Sequence, residues 1–136
     1  LAHKVINYIK NDKYDFITLN IANPDMVGHS GNLESAIKAV EEVDKYIGKM
    51  VNVVNSKKGS IIITSDHGNI EEMINNETGE VCTTHTNNLV PFILIDNYGK
   101  YKLKKKGMLA NVTPTILDIL NIDKPKSMTA KSLIIK

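Results

Sequence analysis

The sequence contains no arginine and no tryptophan, and Cys82 is its single cysteine among 136 residues. One cysteine excludes an internal disulfide, which fits a reducing compartment, and we expect the cytoplasm. Five Tyr and two Phe are too few to build a platform on which bases stack. The net charge of +2 does not by itself indicate a nucleic-acid partner. No apolar run approaches the ~20 residues of a membrane helix. We therefore expect neither nucleic acid nor membrane as a partner.

The composition is that of an ordinary globular protein, with 42% hydrophobic and 24% charged residues. The length predicts one domain, large enough for a core of its own. The opening residues Leu1-Ala2-His3-Lys4 contain no apolar stretch of the kind found in signal peptides. There is no initiator methionine, so we expect a fragment.

Apolar periodicity predicts alternating helices and strands. Helices are expected over residues 2–10, after a cap at Asn32, and from Thr113-Pro114. Strands are expected over residues 14–20, 61–63 and 89–95, with a short edge strand at 133–135. Such alternation is typical of α/β proteins, in which helices cover both faces of a parallel sheet.

Residues 60–69 carry the first chemical signal. Three consecutive β-branched residues, Ile61 to Ile63, suit a strand that is covered on both faces. Asp66 and His67 follow where that strand should end. Ligands of open α/β sheets gather beyond the carboxyl ends of the strands, so this pair is a candidate for metal binding.

Asp25, His29 and His85 lie in two further segments predicted as loops. A helical turn would place Asp25 and His29 on one face, but Pro24 and Gly28 favour a tight loop. The two side chains can converge in either case. All five candidate ligands are expected at one edge of the sheet.

Carboxylates combined with imidazoles suit Mn, Zn or Fe better than Ca, which prefers oxygen alone. Asp66 and His67 could serve one metal or two neighbouring metals. Two divalent ions about 4 Å apart would hold a phosphoryl group between them. A mononuclear oxygenase site made of Asp25, His29 and His85 is an alternative, but it leaves Asp66 and His67 unexplained.

Other features carry weaker signals. Cys82 precedes His85 by three residues and could add a thiolate that favours Zn. The lysine-rich run from residue 102 to 106 contains no aromatic residue and is expected to be a solvated loop. Asn69 and Glu71 could orient metal ligands, or could cap the helix or turn expected after them.

The order of several motifs resembles that of the cofactor-independent phosphoglycerate mutases of the alkaline phosphatase superfamily. The motifs are NPDMVGHSG from residue 23, TSDHGN from residue 64, THT from residue 84, VPF from residue 90 and MTAKSL from residue 128. Ser30, Ser65 and Ala130 stand where that family usually has Thr, Ala and Gly. None of these departures removes a residue of ligand type.

The resemblance implies an alkaline phosphatase-like fold, a parallel-sheet sandwich with helices on both faces, of which this chain is a part. It implies two Mn²⁺ ions, with Mg²⁺, Zn²⁺ or Co²⁺ as possible substitutes. Asp25, His29 and His85 would hold the first ion, and Asp66 and His67 the second. The implied enzyme is a cytoplasmic monomer of glycolysis and gluconeogenesis. It interconverts 3-phosphoglycerate and 2-phosphoglycerate through a phosphoserine intermediate.

The resemblance also implies what residues 1–136 do not contain. They correspond to the C-terminal part of the metal-binding, phosphatase-like domain. The nucleophilic serine and a further aspartate ligand of the family lie upstream, and its substrate-binding arginines lie in a separate domain. We expect this chain alone to be inactive and to contain no catalytic nucleophile. The alternatives are another superfamily enzyme, such as a phosphopentomutase or a phosphomonoesterase, or a non-catalytic folded fragment.

Overall fold

The computed structural model describes residues 1–135, which form two compact units. The first unit is Leu1–Asn97, and the second begins at Tyr98. The helices of the first unit are α1 (Ala2–Lys10), α2 (Asn23–Gly28) and α3 (Leu33–Ser56), and its strands are β1 (Ser60–Thr64) and β2 (Phe92–Asp96). Within the described residues, no helix has both the length and the apolarity needed to cross a membrane.

The long helix α3 organises the first unit. Its N-cap residue Asn32 accepts a hydrogen bond from the backbone N–H of Ser35 at 2.8 Å, as the sequence predicts. Helices α1 and α2 and strand β1 all contact α3. The buried apolar side chains of this unit are Val5, Ala36, Met50, Val54 and Met73.

Strands β1 and β2 pair in antiparallel orientation, with Ser60 opposite Asp96 and Thr64 opposite Phe92. The predicted parallel sheet with helices on both faces is therefore not confirmed. A parallel pair requires a crossover connection, usually a helix. The connection between β1 and β2 contains only a short 3-10 turn (Ile70–Glu72), and the chain returns alongside itself. Ile61 to Ile63 are half-buried rather than fully covered.

The prediction of a strand at residues 14–20 is wrong, since this segment has no regular secondary structure. Its apolar and β-branched residues match a strand pattern, but a strand also needs a hydrogen-bonded neighbour. None of the strand pairs in residues 1–135 includes this segment. Phe16 is accordingly 52% exposed.

The second unit contains β3 (Lys102–Leu103), a 3-10 turn (Leu109–Asn111), α4 (Val112–Ile119) and β4 (Ile134–Ile135). Strands β3 and β4 are antiparallel, which confirms the expected short strand near the end of the chain. Thr115 on α4 is fully buried. Its hydroxyl donates to the Asn111 carbonyl at 2.7 Å and accepts from the backbone N–H of Leu133 at 2.9 Å.

Candidate metal centre

Helix α2 places Asp25 and His29 on the same side of one turn. The sequence favours a tight loop here, but the structure has a helix, because a proline in the first turn does not need the N–H that it lacks. The backbone N–H of His29 donates to the Asp25 carbonyl at 3.1 Å, which is the helical i+4 spacing. The Asp25 Oδ1 and His29 Nε2 atoms consequently lie 3.4 Å apart.

The antiparallel return of the chain brings His85 to the same place. Beyond the end of β1, Gly68 forms an isolated bridge with Thr86, and the Thr86 N–H donates to the Gly68 carbonyl at 2.8 Å. This pairing lays the segment around His85 alongside the segment that follows β1. His85 Nε2 is 3.1 Å from Asp25 Oδ1 and 3.2 Å from His29 Nε2.

These three atoms have the spacing of ligands around one divalent cation. Bonds of about 2.0–2.2 Å in a tetrahedral or octahedral shell place neighbouring ligand atoms about 2.8–3.6 Å apart. The observed separations of 3.1, 3.2 and 3.4 Å lie within that range. The side chains of Asp25, His29 and His85 are 37%, 44% and 48% exposed, so the cluster is open to solvent. The donor set therefore fits a metal with open coordination positions.

A backbone carbonyl fixes the tautomer of His29. The Nδ1 atom of His29 lies 2.6 Å from the carbonyl oxygen of Thr83, which can only accept a hydrogen bond. We therefore assign the proton of the neutral ring to Nδ1, and this leaves the Nε2 lone pair directed at the cluster. A metal-binding histidine is commonly held in this way through its second nitrogen.

Asn69 orients the carboxylate of Asp25. Asn69 is only 5% exposed, and its amide Nδ2 donates to Asp25 Oδ1 at 2.8 Å. This hydrogen bond is the main reason that the pKa of Asp25 lies below its ordinary value. Partial desolvation of the carboxyl group opposes the shift, and charge on His29, His85 and His67 adds to it. Asp25 is thus held in the ionised form that binds cations. Of the two roles expected for Asn69, its side chain performs the orienting one and makes no capping bond.

Asp66 and His67 lie beside the cluster but do not complete a second one. Their Oδ1 and Nε2 atoms are 3.7 Å apart, and the Asp66 side chain is 80% exposed. The ring of His67 stacks on that of His85, with centroids 3.7 Å apart and an interplanar angle of 21°. Across residues 1–135, the convergent group of three or more potential ligands is Asp25, His29 and His85. The assignment of Asp66 and His67 to a second ion stays a prediction.

Cys82 does not join the ligand cluster. It has a free thiol that is partly exposed, and its N–H pairs with the Met73 carbonyl at 2.9 Å. The cluster found in the described residues includes no sulfur atom.

The role of the Thr83 carbonyl could not be predicted from the sequence. A backbone oxygen is present at every residue, so no residue type marks it. The only indication is that Thr83 lies two residues before His85.

Comparisons with known proteins agree with a metal-binding function. The profile of the Metalloenzyme superfamily matches residues 1–124. The chain is 50% identical, over its whole length, to the 2,3-bisphosphoglycerate-independent phosphoglycerate mutase of Clostridioides difficile, of which it covers 27%. It is 54% identical over 92% of its length to the corresponding enzyme of Moorella thermoacetica, of which it covers 24%. It is 52% identical over its whole length to 2,3-bisphosphoglycerate-independent phosphoglycerate mutase 2 of Methanosarcina barkeri, of which it covers 26%. The chain thus spans about a quarter of the length of these relatives.

Proposed function

The chain belongs to the Metalloenzyme superfamily, and from this premise we propose that it supplies metal ligands to a phosphoglycerate mutase. The convergence of Asp25 Oδ1, His29 Nε2 and His85 Nε2 carries the proposal. Superfamily membership implies a metal, and the three atoms are arranged as one face of its ligand shell. The similarity to phosphoglycerate mutases supports the substrate class.

We propose Mn²⁺ as the physiological ion. One carboxylate and two neutral imidazoles form a mixed oxygen and nitrogen set, which suits Mn²⁺ and other first-row divalent ions better than Ca²⁺. Zn²⁺, Co²⁺ and Mg²⁺ are the competitors that a binding experiment should include. A second Mn²⁺ would use Asp66 and His67 together with ligands from elsewhere in the protein.

The residues of this chain hold the site ready for a phosphoryl group. The hydrogen bond from Asn69 further favours the ionised form of Asp25, and the Thr83 carbonyl favours the tautomer of His29 with its proton on Nδ1. A bound divalent ion would neutralise phosphoryl oxygens and lower the pKa of an attacking hydroxyl group. The exposed side of the cluster leaves room for such a group to approach.

The full activity requires residues outside this chain. We propose that the complete protein moves the phosphoryl group of 3-phosphoglycerate to a serine and then to the 2-hydroxyl of the same glycerate. The substrate-binding arginines would lie elsewhere, since this sequence has no arginine. The nucleophilic serine would also lie elsewhere, as the family resemblance implies. The chain would form the C-terminal part of an alkaline phosphatase-like sandwich. Its cytoplasmic location, its monomeric state and the absence of nucleic-acid and membrane partners stay predictions.

A coupled mutase assay on the full-length gene product tests this proposal. We expect conversion of 3-phosphoglycerate that depends on Mn²⁺. Asp25→Asn should lower kcat/KM by at least about 100-fold, because replacing even the residues that orient metal ligands typically lowers activity by about 10–100-fold. Asp123→Asn, in the second unit, is the control and should retain activity. Turnover of a pentose phosphate or a simple phosphomonoester, without turnover of phosphoglycerate, would contradict the mutase assignment.

A further inference from the structure

The carboxylate of Glu71 joins the two segments that carry the metal-site residues. Its Oε2 atom accepts a hydrogen bond from the backbone N–H of Asn69 at 2.6 Å. Its Oε1 atom accepts from the Thr86 hydroxyl and, at 3.1 Å, from the Asn88 amide. Asn69 follows strand β1, whereas Thr86 and Asn88 precede strand β2. One side chain therefore connects both sides of the antiparallel return.

The two segments touch closely at this point. The Gly68–Thr86 bridge lies beside the Glu71 carboxylate. A Cβ atom at Gly68 would overlap Thr86 Oγ1 and Glu71 Oε1. Because Gly68 has no side chain, the Glu71 carboxylate and the Thr86 hydroxyl group have room to form their hydrogen bond.

Both ends of the Glu71 network lead directly to the metal site. On one side, Asn69 donates its amide hydrogen to Asp25. On the other side, Thr86 is bonded in the chain to His85, whose Nε2 atom lies 3.1 Å from Asp25. Moving either segment would therefore separate His85 from Asp25, or Asn69 from Asp25.

We propose that Glu71 is a positioning residue, which fixes His85 and Asn69 relative to Asp25 and so sets the metal affinity. This inference rests on the proposed metal binding. This role requires the ionised carboxylate of Glu71, because all three of its partners donate hydrogen bonds to it. They are the backbone N–H of Asn69, the hydroxyl group of Thr86 and the side-chain amide of Asn88. A glutamine would turn one N–H₂ group towards these donors.

Calorimetric titration of the full-length gene product with Mn²⁺ tests the inference. We expect Glu71→Gln to weaken Mn²⁺ binding by about 10–100-fold, the range found when residues that orient metal ligands are replaced. Glu77→Gln is the matched control. Glu77 is exposed, and its backbone N–H, not its carboxylate, bonds to Asn75, so affinity should stay within about twofold of wild type. Circular dichroism of each variant reports whether the protein is folded.

Two substitutions at Thr86 separate positioning from general stability. Thr86→Val keeps the shape but removes the hydroxyl group that donates a hydrogen bond to Glu71, so Mn²⁺ affinity should fall. Thr86→Ser keeps the hydroxyl group and should restore the affinity. If Glu71→Gln does not fold, the comparison of Thr86→Val with Thr86→Ser decides the question.

The outcomes distinguish this inference from the proposed function. Equal Mn²⁺ affinity of folded Glu71→Gln and wild type, or of Thr86→Val and Thr86→Ser, would overturn the positioning role alone. No measurable Mn²⁺ binding by the wild-type full-length protein would overturn both the positioning role and the metal site.

Discussion

At the residue scale, the three proposed ligands are held by three different kinds of partner. An asparagine amide donates to Asp25, a backbone carbonyl accepts from His29, and the ring of His67 stacks on His85. Each partner restricts one orientation of one ligand. The three ligand atoms lie within 3.4 Å of one another.

Ionisation of Glu71 should make the stability of the fold depend on pH. Burial alone would raise the pKa of Glu71, but hydrogen bonds from Thr86, Asn88 and backbone N–H groups outweigh it, and the net shift is downward. A carboxyl group whose pKa falls on folding stabilises the native state at pH values above its unfolded pKa of about 4.3. This contribution is lost as the pH falls through the lower pKa of the folded state.

Urea unfolding at several pH values measures this effect. Wild type should be more stable than Glu71→Gln at about pH 6, and the difference should shrink towards about pH 3. Glu77→Gln should keep the pH dependence of wild type, because Glu77 is exposed and its hydrogen bond to Asn75 is made by its backbone N–H. A difference between wild type and Glu71→Gln that stays constant over this range would contradict the ionic role of Glu71.

The sequence could predict the types of residue in the site but not their partners. Asp25, His29 and His85 stand out because carboxylates and imidazoles in predicted loops suggest a metal. Asn69 allowed two interpretations, and only the structure shows which group its amide meets. Nothing in the sequence predicts that the Thr83 carbonyl bonds to His29, since this contact depends on where the chain folds back rather than on residue type.

At the element scale, helix α2 is short and makes a close contact with the Asn69 side chain. Gly28 lies on α2 next to the Asn69 side chain, and a Cβ atom on Gly28 would overlap the Asn69 amide oxygen. Gly48 lies within α3 and has no neighbouring atom within 4 Å of such a Cβ position. These two helical glycines differ in the space that surrounds them.

Replacing each glycine by alanine should therefore have opposite effects. Gly48→Ala should stabilise the chain by about 0.5–1 kcal/mol, because alanine is the better helix former. Gly28→Ala should destabilise the chain despite the same gain, and it should weaken Mn²⁺ binding by moving Asn69 away from Asp25. Thermal unfolding and Mn²⁺ titration measure both effects. A Gly28→Ala variant that is as stable as Gly48→Ala and binds Mn²⁺ normally would show that the contact does not matter.

The elements that were predicted correctly are those whose signal is local. Helices α1 and α3 follow from apolar spacing and, for α3, from the Asn32 cap. The strand expected at residues 14–20 failed because pairing depends on a neighbour that the local pattern does not specify. The β1–β2 pair has the expected strands in an unexpected orientation, because the long connection between them contains only a short 3-10 turn and no crossover α-helix.

At the scale of the whole molecule, much apolar surface remains exposed. The buried apolar residues of the described chain are few, namely Val5, Ala36, Met50, Val54, Met73, Leu133 and Ile134. Large apolar side chains such as Met26, Leu89 and Met108 are more than two-thirds exposed, at 69%, 86% and 69%. Hydropathy patterns predict which residues prefer burial, but not whether these 136 residues provide enough partners to bury them.

All three proposed ligands nevertheless lie within the first compact unit, Leu1–Asn97. The contacts that place them are also within this unit: the α2 turn, the Gly68–Thr86 bridge and the Glu71 network. The arrangement of the candidate site therefore follows from one continuous stretch of sequence. Activity, in contrast, is proposed only for the complete protein.

Anomalous X-ray diffraction from crystals of the chain grown with Mn²⁺ tests the central claim most directly. Data collected at the manganese absorption edge should show a peak about 2.0–2.2 Å from Asp25 Oδ1, His29 Nε2 and His85 Nε2 together. Crystals of Asp25→Asn grown in the same way are the control and should lack this peak or show it much weakened. A manganese peak elsewhere, or no peak between these three atoms at saturating Mn²⁺, would contradict the metal site proposed for this protein.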